Sequence, residues 1–190
     1  MDFSFQSKQL LFRKIRSEDK ELYLHLYTDA EIMQYIAPPF SPNTAERFFN
    51  VAIKPWSFSS SRSLIFTVFE KSSEQKIGIC SVTTRNAFSK QGEVGVMFKK
   101  KYQSKGLGTE LLKALTGYCF LHLNYNKLWG PPLPHNIKSV GILENTGYFK
   151  EATLRQHLLY EGNFIDTPLY TMLKEEYLDK YSCNEPLFAI

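Results

Sequence analysis

Residues 99–109, KKKYQSKGLGT, have the residue types needed to bind a phosphate group. They follow an alternating apolar run at 93–98 and precede a segment with helical periodicity at 107–121. The first N–H groups of such a helix have no intrahelical acceptor, and the helix dipole adds partial positive charge, so this junction can hold an anion. Gly106 and Gly108 would let a phosphate approach the backbone, and Lys105 adds a full positive charge.

The glycine spacing distinguishes this turn from two common phosphate-binding loops. A Walker loop needs four residues between its glycines and then Gly-Lys-Ser/Thr, and the dinucleotide fingerprint needs a third glycine three residues after Gly108. Leu111 stands at that third position, so the sequence has neither motif. The neighbouring lysines suit an anionic cofactor, although a solvated strand end would have the same composition.

The segments around the turn predict one mixed α/β unit. Runs rich in β-branched and aromatic residues predict strands over 10–15, 64–69, 76–84, 93–98, 127–133, 149–159 and 164–173. Apolar periodicity predicts helices over 18–28, 29–36, 41–53, 107–121 and 136–146. Pro131, Pro132 and Pro134 deny the 127–133 strand some of its ladder hydrogen bonds. We therefore expect that strand at a sheet edge or beside a gap in the sheet.

Length and composition limit the class of protein. With 190 residues, the chain fits one domain, placed at 1–180, and a tail at 181–190. A hydrophobic content of 43% with 15% aromatic residues indicates a folded globular protein. No run approaches the roughly 18 apolar residues of a membrane span, and the N-terminus lacks a basic start followed by an apolar core. We expect a cytoplasmic protein with no membrane partner.

Charge and cysteine content argue against nucleic-acid and metal binding. The net charge of +4 is modest, and no long basic face is interleaved with aromatic residues, so we expect no nucleic-acid partner. Cys80, Cys119 and Cys183 form no close pair and have no Cys/His spacing that would hold zinc. We expect no metal site.

The turn Gln103-Ser-Lys-Gly106-Leu-Gly108 resembles the Gln/Arg-x-x-Gly-x-Gly/Ala signature of the GCN5-related N-acetyltransferases (GNAT), where it holds the pyrophosphate of acetyl-coenzyme A. Residues 11–36, 92–95 and 136–148 are similar to the RimJ/RimL branch, which acetylates protein N-termini and includes enzymes for small amines. The resemblance implies the GNAT fold, a mixed, mostly antiparallel central sheet with helices on both faces and a splayed strand pair. It also implies that the enzyme transfers an acetyl group to a primary amine.

The resemblance assigns the cofactor site residue by residue. In that fold pantetheine lies in the gap between the splayed strands, and Met97, Phe98 and Lys99 would form its wall with their main-chain groups. Asn136 would bond a pantetheine amide, or would only cap its helix. The remaining cofactor-binding residues are Gln103, Ser104, Lys105, Gly106, Leu107, Gly108 and Thr109 in the turn, and Ser139.

Two residues are candidates for acid–base chemistry. The alternation of GEVGVMF puts Glu93 on the same strand face as Met97, so its carboxylate is the candidate base, directly or through water; a surface glutamate is the alternative. Many acetyltransferases carry a tyrosine seven residues after the motif asparagine, but this chain has Leu143. Ser139 stands where the branch has a serine near the sulfur, and it would donate to the thiolate or only orient coenzyme A.

The acceptor side has no motif. Tyr35, Phe40, Trp56, Tyr160, Asp166 and Tyr170 line an acceptor pocket or belong to the core. Because the tyrosine is missing at Leu143 and the prolines alter a strand, a non-catalytic acyl-CoA sensor on the same fold remains an alternative. The final hairpin is a plausible contact for a homodimer.

Overall fold

The computed structural model describes residues 3–181 and 188–189. The strands are β1 Ser4–Gln6, β2 Leu10–Lys14, β3 Leu64–Glu70, β4 Gln75–Asn86, β5 Gln91–Phe98, β6 Lys127–Gly130, β7 Phe149–Tyr160 and β8 Asn163–Leu173. The α-helices are α1 Lys20–Thr28, α2 Ala30–Met33, α3 Pro42–Ala52, α4 Leu107–Leu121, α5 Ile137–Thr146 and α6 Lys174–Tyr181. Short 3₁₀ turns, Ser17–Asp19 and Lys100–Tyr102, precede α1 and the glycine turn.

One sheet of eight strands, in the order β1-β2-β3-β4-β5-β6-β8-β7, organises the molecule. Its strand pairs are antiparallel except for β5 and β6, which are parallel because α4 connects them as a crossover. The predicted fold class, a mixed and mostly antiparallel sheet with helices, is confirmed. Within residues 3–181 and 188–189, no helix has both the length and the hydropathy needed to cross a membrane.

Strands β5 and β6 separate after three residue pairs, the last being Glu93 with Trp129. The prediction of a strand to residue 133 is wrong, since β6 ends at Gly130, directly before Pro131. Proline lacks the N–H that would continue the ladder, and the strand therefore stops where the prolines begin. The predicted position beside a gap is confirmed, because the proline segment borders the space where β5 and β6 separate. Strand β6 itself lies inside the sheet and not at its edge.

The two faces of the sheet carry separate hydrophobic clusters. The larger cluster packs under α4 and α5 and includes Phe98 and Leu143, and the smaller one packs under α1 and α3 and includes Met97 and Phe49. Adjacent residues of β5 thus point to opposite faces, as strand geometry requires. Helices cover both faces, as predicted.

A buried carboxylate joins the start of α1 to the sheet. Asp19 is 0% exposed, and its Oδ1 accepts from Arg13 Nη2 at 3.1 Å and lies 2.7 Å from Lys76 Nζ. Its Oδ2 accepts from Thr67 Oγ1 at 2.8 Å and from the N–H of Arg16 at 2.9 Å. Both oxygens therefore have partners, so burial of this charge is compensated.

The chain's last described residues pack on the sheet. Phe188 lies buried against Phe5 and Tyr118, and Ala189 exchanges two backbone hydrogen bonds with Gln6 of β1. The expected tail at 181–190 otherwise falls at 182–187 and 190, outside the described residues. The same holds for Cys183, whereas Cys80 and Cys119 are buried.

Candidate active site

The predicted phosphate turn has the backbone geometry of an anion site. Helix α4 is 15 residues long, and its N-cap is Gly106, with φ 77° and no capping side chain. The step from left-handed Gly106 into right-handed helix points successive N–H groups into one concavity, which binds anions. Ser104 also has a positive φ, 61°, so the turn contains a strained non-glycine residue.

The two glycines of the turn lack a side chain for different structural reasons. A Cβ at Gly106 would meet nothing within 4 Å, which leaves open space at the helix N-terminus. A Cβ at Gly108 would lie 2.5 Å from Cδ1 of Ile142 on α5. Gly106 therefore leaves open space at the helix N-terminus, and the missing side chain of Gly108 allows α5 to pack on α4. Contact of either glycine with phosphate stays a prediction.

Replacing Gly108 with alanine is expected to destabilise the protein by about 1–3 kcal/mol, the usual cost of overpacking a core. Ile142→Val removes the clashing methyl, so Gly108→Ala should cost less in that background. Chemical denaturation of the single and double variants measures this coupling. Strictly additive effects would contradict the packing role.

Two lysines of the turn are held by side chains outside it. Lys100 Nζ lies 2.5 Å from Glu31 Oε2 of α2, and Lys101 Nζ donates to Gln75 Oε1 at 3.0 Å. Glu31 offsets the charge of Lys100, whereas Lys101 has a neutral partner and its Nζ also lies 4.9 Å from the ring centroid of Tyr102. These partners come from residues far along the chain, and sequence spacing did not identify them.

Lys105 and Lys99 differ from this pair. Lys105 Nζ lies 5.3 Å from the ring centroid of Tyr102, a cation–π distance, and is exposed beside the bend. Lys99 is half-buried and borders a cavity of about 490 Å³ that also contacts Glu21 and His25 of α1. Lys105 is therefore an exposed cation beside the bend, and its contact with a phosphate stays a prediction.

The backbone N–H and C=O groups of alternate β5 residues point towards the gap between β5 and β6. The N–H of Lys99 donates to the carbonyl of Ile77 at 2.9 Å, so it is already used by β4. Because backbone groups alternate along a strand, the N–H and C=O of Phe98 point the other way, towards the splayed side. Gln103 Nε2 donates to the Phe98 carbonyl at 3.3 Å, consistent with that direction. Of the predicted wall, Phe98 thus presents its main chain to the gap.

Helix α5 closes the gap from the α4 side. Asn136 is its N-cap, and its Oδ1 accepts from the N–H of Ser139 at 3.0 Å, so the capping alternative is realised for that oxygen. Ser139 is half-buried, and its hydroxyl has no hydrogen-bond partner in the described part of the chain. A Cβ at Gly130 would lie 3.7 Å from Leu143, which places Leu143 where β5 and β6 diverge.

The candidate base stands at the last β5–β6 pair. Glu93 lies opposite Thr83 of β4 and Trp129 of β6. Its Oε2 accepts from Arg85 Nε at 2.8 Å, and the two side chains are 26% and 50% exposed. Sequence reasoning missed Arg85, because the pair forms across a hairpin whose register shifts at a bulge between Thr84 and Asn86. Glu93 is therefore a partly exposed, ion-paired carboxylate at the mouth of the gap.

The residues suggested for the acceptor side lie in different places. Trp56 packs edge-on against Phe3, on the α4 side of the sheet, and its Nε1 donates to the carbonyl of Arg62. Tyr170 is buried, and its hydroxyl donates to Glu144 at 2.8 Å. Tyr170 therefore belongs to the core, and the half-buried Trp56 packs against it.

Tyr35 follows α2, and Tyr160 ends β7. Partial burial, the neighbouring Glu161 and the charge of Tyr35 raise the pKa of the Tyr160 hydroxyl. Asp166 accepts from the N–H of Gln156 at 2.9 Å and supports the bulge of that hairpin.

The chain is similar to acetyltransferases over most of its length. Residues 9–148 match the acetyltransferase (GNAT) domain. The uncharacterized N-acetyltransferase p20 of Bacillus licheniformis is 26% identical over 172 residues, which cover 90% of this chain and 96% of that protein. The ribosomal protein uS5-alanine N-acetyltransferase of Escherichia coli is 27% identical over 103 residues, 53% of each chain, and gives weak support to the RimJ/RimL branch.

A solved structure matches the fold. The crystal structure of spermidine N-acetyltransferase from Vibrio cholerae in complex with CoA and spermine superposes with a TM-score of 0.79 at 23% identity, covering 90% of this chain and 98% of that chain. The family's domain spans most of the sequence, and the fold agrees with it. The chain belongs to the GNAT family and is an N-acetyltransferase that uses acetyl-CoA.

Proposed function

We propose that this enzyme transfers the acetyl group of acetyl-CoA directly to a primary amine within a ternary complex. The observation that carries the proposal is the arrangement of β5. One end of this strand leads into the open glycine bend, and the point where it leaves β6 carries Glu93. An anion site and a carboxylate therefore lie along one splayed strand, with a gap between them for a long, narrow cofactor.

The turn would hold the cofactor by its diphosphate. The N–H groups that follow Gly106 would donate hydrogen bonds to the diphosphate oxygens, and Lys105 would add electrostatic attraction beside the bend. Phe98 presents its N–H and C=O to the gap, where a pantetheine amide would pair as a further strand does. Because Oδ1 of Asn136 caps α5, its Nδ2 is the group that would donate to a second pantetheine amide.

Acetyl-CoA supplies an activated thioester, and the protein's task is to place the amine and manage protons. The ammonium gives one proton to Glu93, directly or through water, and so becomes nucleophilic. The Phe98 N–H stabilises negative charge on the carbonyl oxygen. The new C–N bond forms as the C–S bond breaks, and the second amine proton ends on the thiolate. Ser139 donates a hydrogen bond to that sulfur.

Gly106→Ala is expected to weaken acetyl-CoA binding at least tenfold, since it disfavours the left-handed bend and fills space that the diphosphate needs. Calorimetric titration with acetyl-CoA measures this. Gly162→Ala is the matched control, because Gly162 has φ 79° and equally open space in the final hairpin. Both variants should lose similar stability, about 1–2 kcal/mol. Equal affinities in the two variants would contradict the anion site.

Release of free thiol from acetyl-CoA with a panel of primary amines tests the whole proposal. Turnover with at least one amine is the expected result. Tight acetyl-CoA binding with no thiol release from any amine would instead favour a non-catalytic sensor.

A further inference from the structure

Trp129 stands directly beside the candidate base. It is the β6 residue that pairs with Glu93 of β5, and neighbouring strands lie about 4.8 Å apart. Because residues that pair across two strands project to the same face of a sheet, the indole ring and the carboxylate share a face. Leu128, the residue before Trp129, belongs to the cluster under α4 and α5. Trp129 and Glu93 therefore lie on the opposite face, the one that α1 and α3 partly cover.

The indole ring of Trp129 is not used by the core. Its residue is half-buried and belongs to neither hydrophobic cluster. Within the described residues it has no aromatic, cation–π or hydrogen-bond partner. The other tryptophan, Trp56, packs against the larger cluster and donates its indole N–H to the carbonyl of Arg62. Of the two rings, that of Trp129 is thus the one left for a ligand.

An opening in the sheet surface adjoins this pair. Gly95 is the next residue of β5 on the same face as Glu93, and a Cβ there would lie 3.0 Å from Ser81 Oγ, with no other described atom within 4 Å. The Ser81 hydroxyl has no hydrogen-bond partner in the described part of the chain. Met97, which follows on this face, is 8% exposed and packs under α1 and α3. The missing side chain at Gly95 therefore leaves space between the carboxylate and the edge of the buried cluster.

The groups around this opening attract a cation. The Glu93 carboxylate is negative, and the Ser81 hydroxyl can accept a hydrogen bond. The face of an aromatic ring carries partial negative charge, and tryptophan is the aromatic residue that binds cations best. A carboxylate, a hydroxyl and an indole ring thus offer one ammonium group three kinds of favourable contact.

The cationic side chains on this part of the face leave the opening accessible. Lys127, two residues before Trp129, is held by Glu151 of β7 at 2.7 Å. Arg85 binds Glu93 from the β4 side, but its side chain is 50% exposed. Exchanging such an exposed ion pair for another cation costs little free energy. An incoming ammonium can therefore take the place of Arg85 at the carboxylate.

We propose that Trp129 binds the ammonium group of the acceptor by a cation–π contact and places it beside Glu93, with the Ser81 hydroxyl as a further hydrogen-bond acceptor. The acceptor is an alkylamine, which is protonated at neutral pH and arrives as a cation. Its ammonium displaces Arg85 and gives one proton to the Glu93 carboxylate, which leaves the neutral amine for attack. This inference rests on the proposed acetyl transfer and names its acceptor class and the residue that recognises it.

Cation binding is tested with choline and its uncharged isostere 3,3-dimethylbutan-1-ol, each titrated into the protein saturated with coenzyme A. The chain has two tryptophans, whose indole N–H signals are followed by NMR and assigned with Trp129→Phe or Trp56→Phe. We expect choline to shift the Trp129 signal but not that of Trp56, and to bind at least about fivefold more tightly than the isostere. A shift at Trp56 alone, no shift at either ring, or equal affinities for the two probes overturns the inference.

The variant Trp129→Leu separates the ring from the carboxylate, because Glu93 alone would also favour choline over the isostere. Leucine keeps an apolar side chain but removes the aromatic face. We expect the ratio of the two affinities, measured from the probes' own methyl signals, to fall at least about threefold. Trp129→Phe keeps a ring with a weaker attraction and should give an intermediate ratio. A ratio equal to that of the wild type overturns the role of Trp129.

Kinetics show whether the same contact serves the acceptor. Trp129→Leu is expected to raise KM for the best alkylamine of the panel about fivefold while kcat stays within about twofold, because the ring binds but does not react. Phe88→Leu is the control, since Phe88 is 99% exposed in the turn between β4 and β5. Equal KM values in the two variants overturn the inference while leaving acetyl transfer intact. Choline binding at Trp129 without thiol release from any amine supports the cation site and refutes acetyl transfer alone.

Discussion

Asp19→Ala is expected to lower the free energy of unfolding by about 3 kcal/mol, the low end of the cost of breaking a buried ion pair. The change leaves Arg13, Lys76 and Thr67 without their shared acceptor. The two cationic side chains are 16% and 30% exposed, so water relieves part of their charge. Urea denaturation measures the loss.

Two further variants make the interpretation specific. Asp179→Ala removes an exposed carboxylate from α6 and should change stability by less than about 0.5 kcal/mol. Asp19→Asn keeps an acceptor for Thr67 and should fall between wild type and Asp19→Ala. A loss equal to that of Asp179→Ala would contradict a structural role for the buried carboxylate.

The same carboxylate gives the stability a defined pH dependence. Burial alone raises the pKa of Asp19, but hydrogen bonds from Lys76, the Arg16 N–H and Thr67 outweigh it, so the folded pKa lies below the usual value. The unfolded chain therefore binds the proton more readily, and stability rises with pH across this window. The contribution is complete above about pH 4 and is lost as pH falls through the lowered pKa. Asp19→Asn should flatten that acid limb of the stability curve.

Glu93→Gln is expected to lower kcat at least about a hundredfold, the usual contribution of a general base. Glutamine keeps the size of the side chain and its bond from Arg85 but cannot take the ammonium proton. The affinity for acetyl-CoA should stay within about twofold, because the diphosphate and pantetheine contacts lie elsewhere. Thiol release and calorimetry give the two quantities.

The control for this change is Glu46→Gln on α3, which breaks an exposed ion pair with Lys20 of α1. It should leave kcat unchanged and stability within about 1 kcal/mol. If Glu93→Gln behaves in the same way, Glu93 is a surface residue and the base must be sought elsewhere.

The sequence predicted correctly the helices and strands that are specified by neighbouring residues. Helix α4 runs from Leu107 to Leu121, as predicted, because apolar periodicity follows a glycine turn there. The two hairpins also form as predicted. Strand β1 was missed, since three residues carry too little pattern and β1 is fixed by β2 and by Ala189. Strand β6 was drawn too long because proline was expected to be tolerated inside it.

The predicted site residues stay a prediction, and the structure adds the partners that they have in distant segments. The left-handed bend at Gly106 follows from residues next to each other, so the sequence identified it. The packing reason for Gly108 was not predicted, because its neighbour Ile142 comes from another helix. The partner of Glu93 depends on the β4–β5 register, and a bulge in that hairpin makes the register unreadable from alternation alone.

By itself, the sequence determined the order of the elements between β2 and β8, the glycine bend that begins α4 and the acetyltransferase character of the chain. These depend on backbone preferences and motifs that act within a few residues. Only the tertiary structure decided which groups are already occupied: the Lys99 N–H by Ile77, one oxygen of Asn136 by its own helix, and Glu93 by Arg85. Such pairings depend on strand register and helix packing, since hydrogen bonds act over about 3 Å between segments that no local pattern brings together.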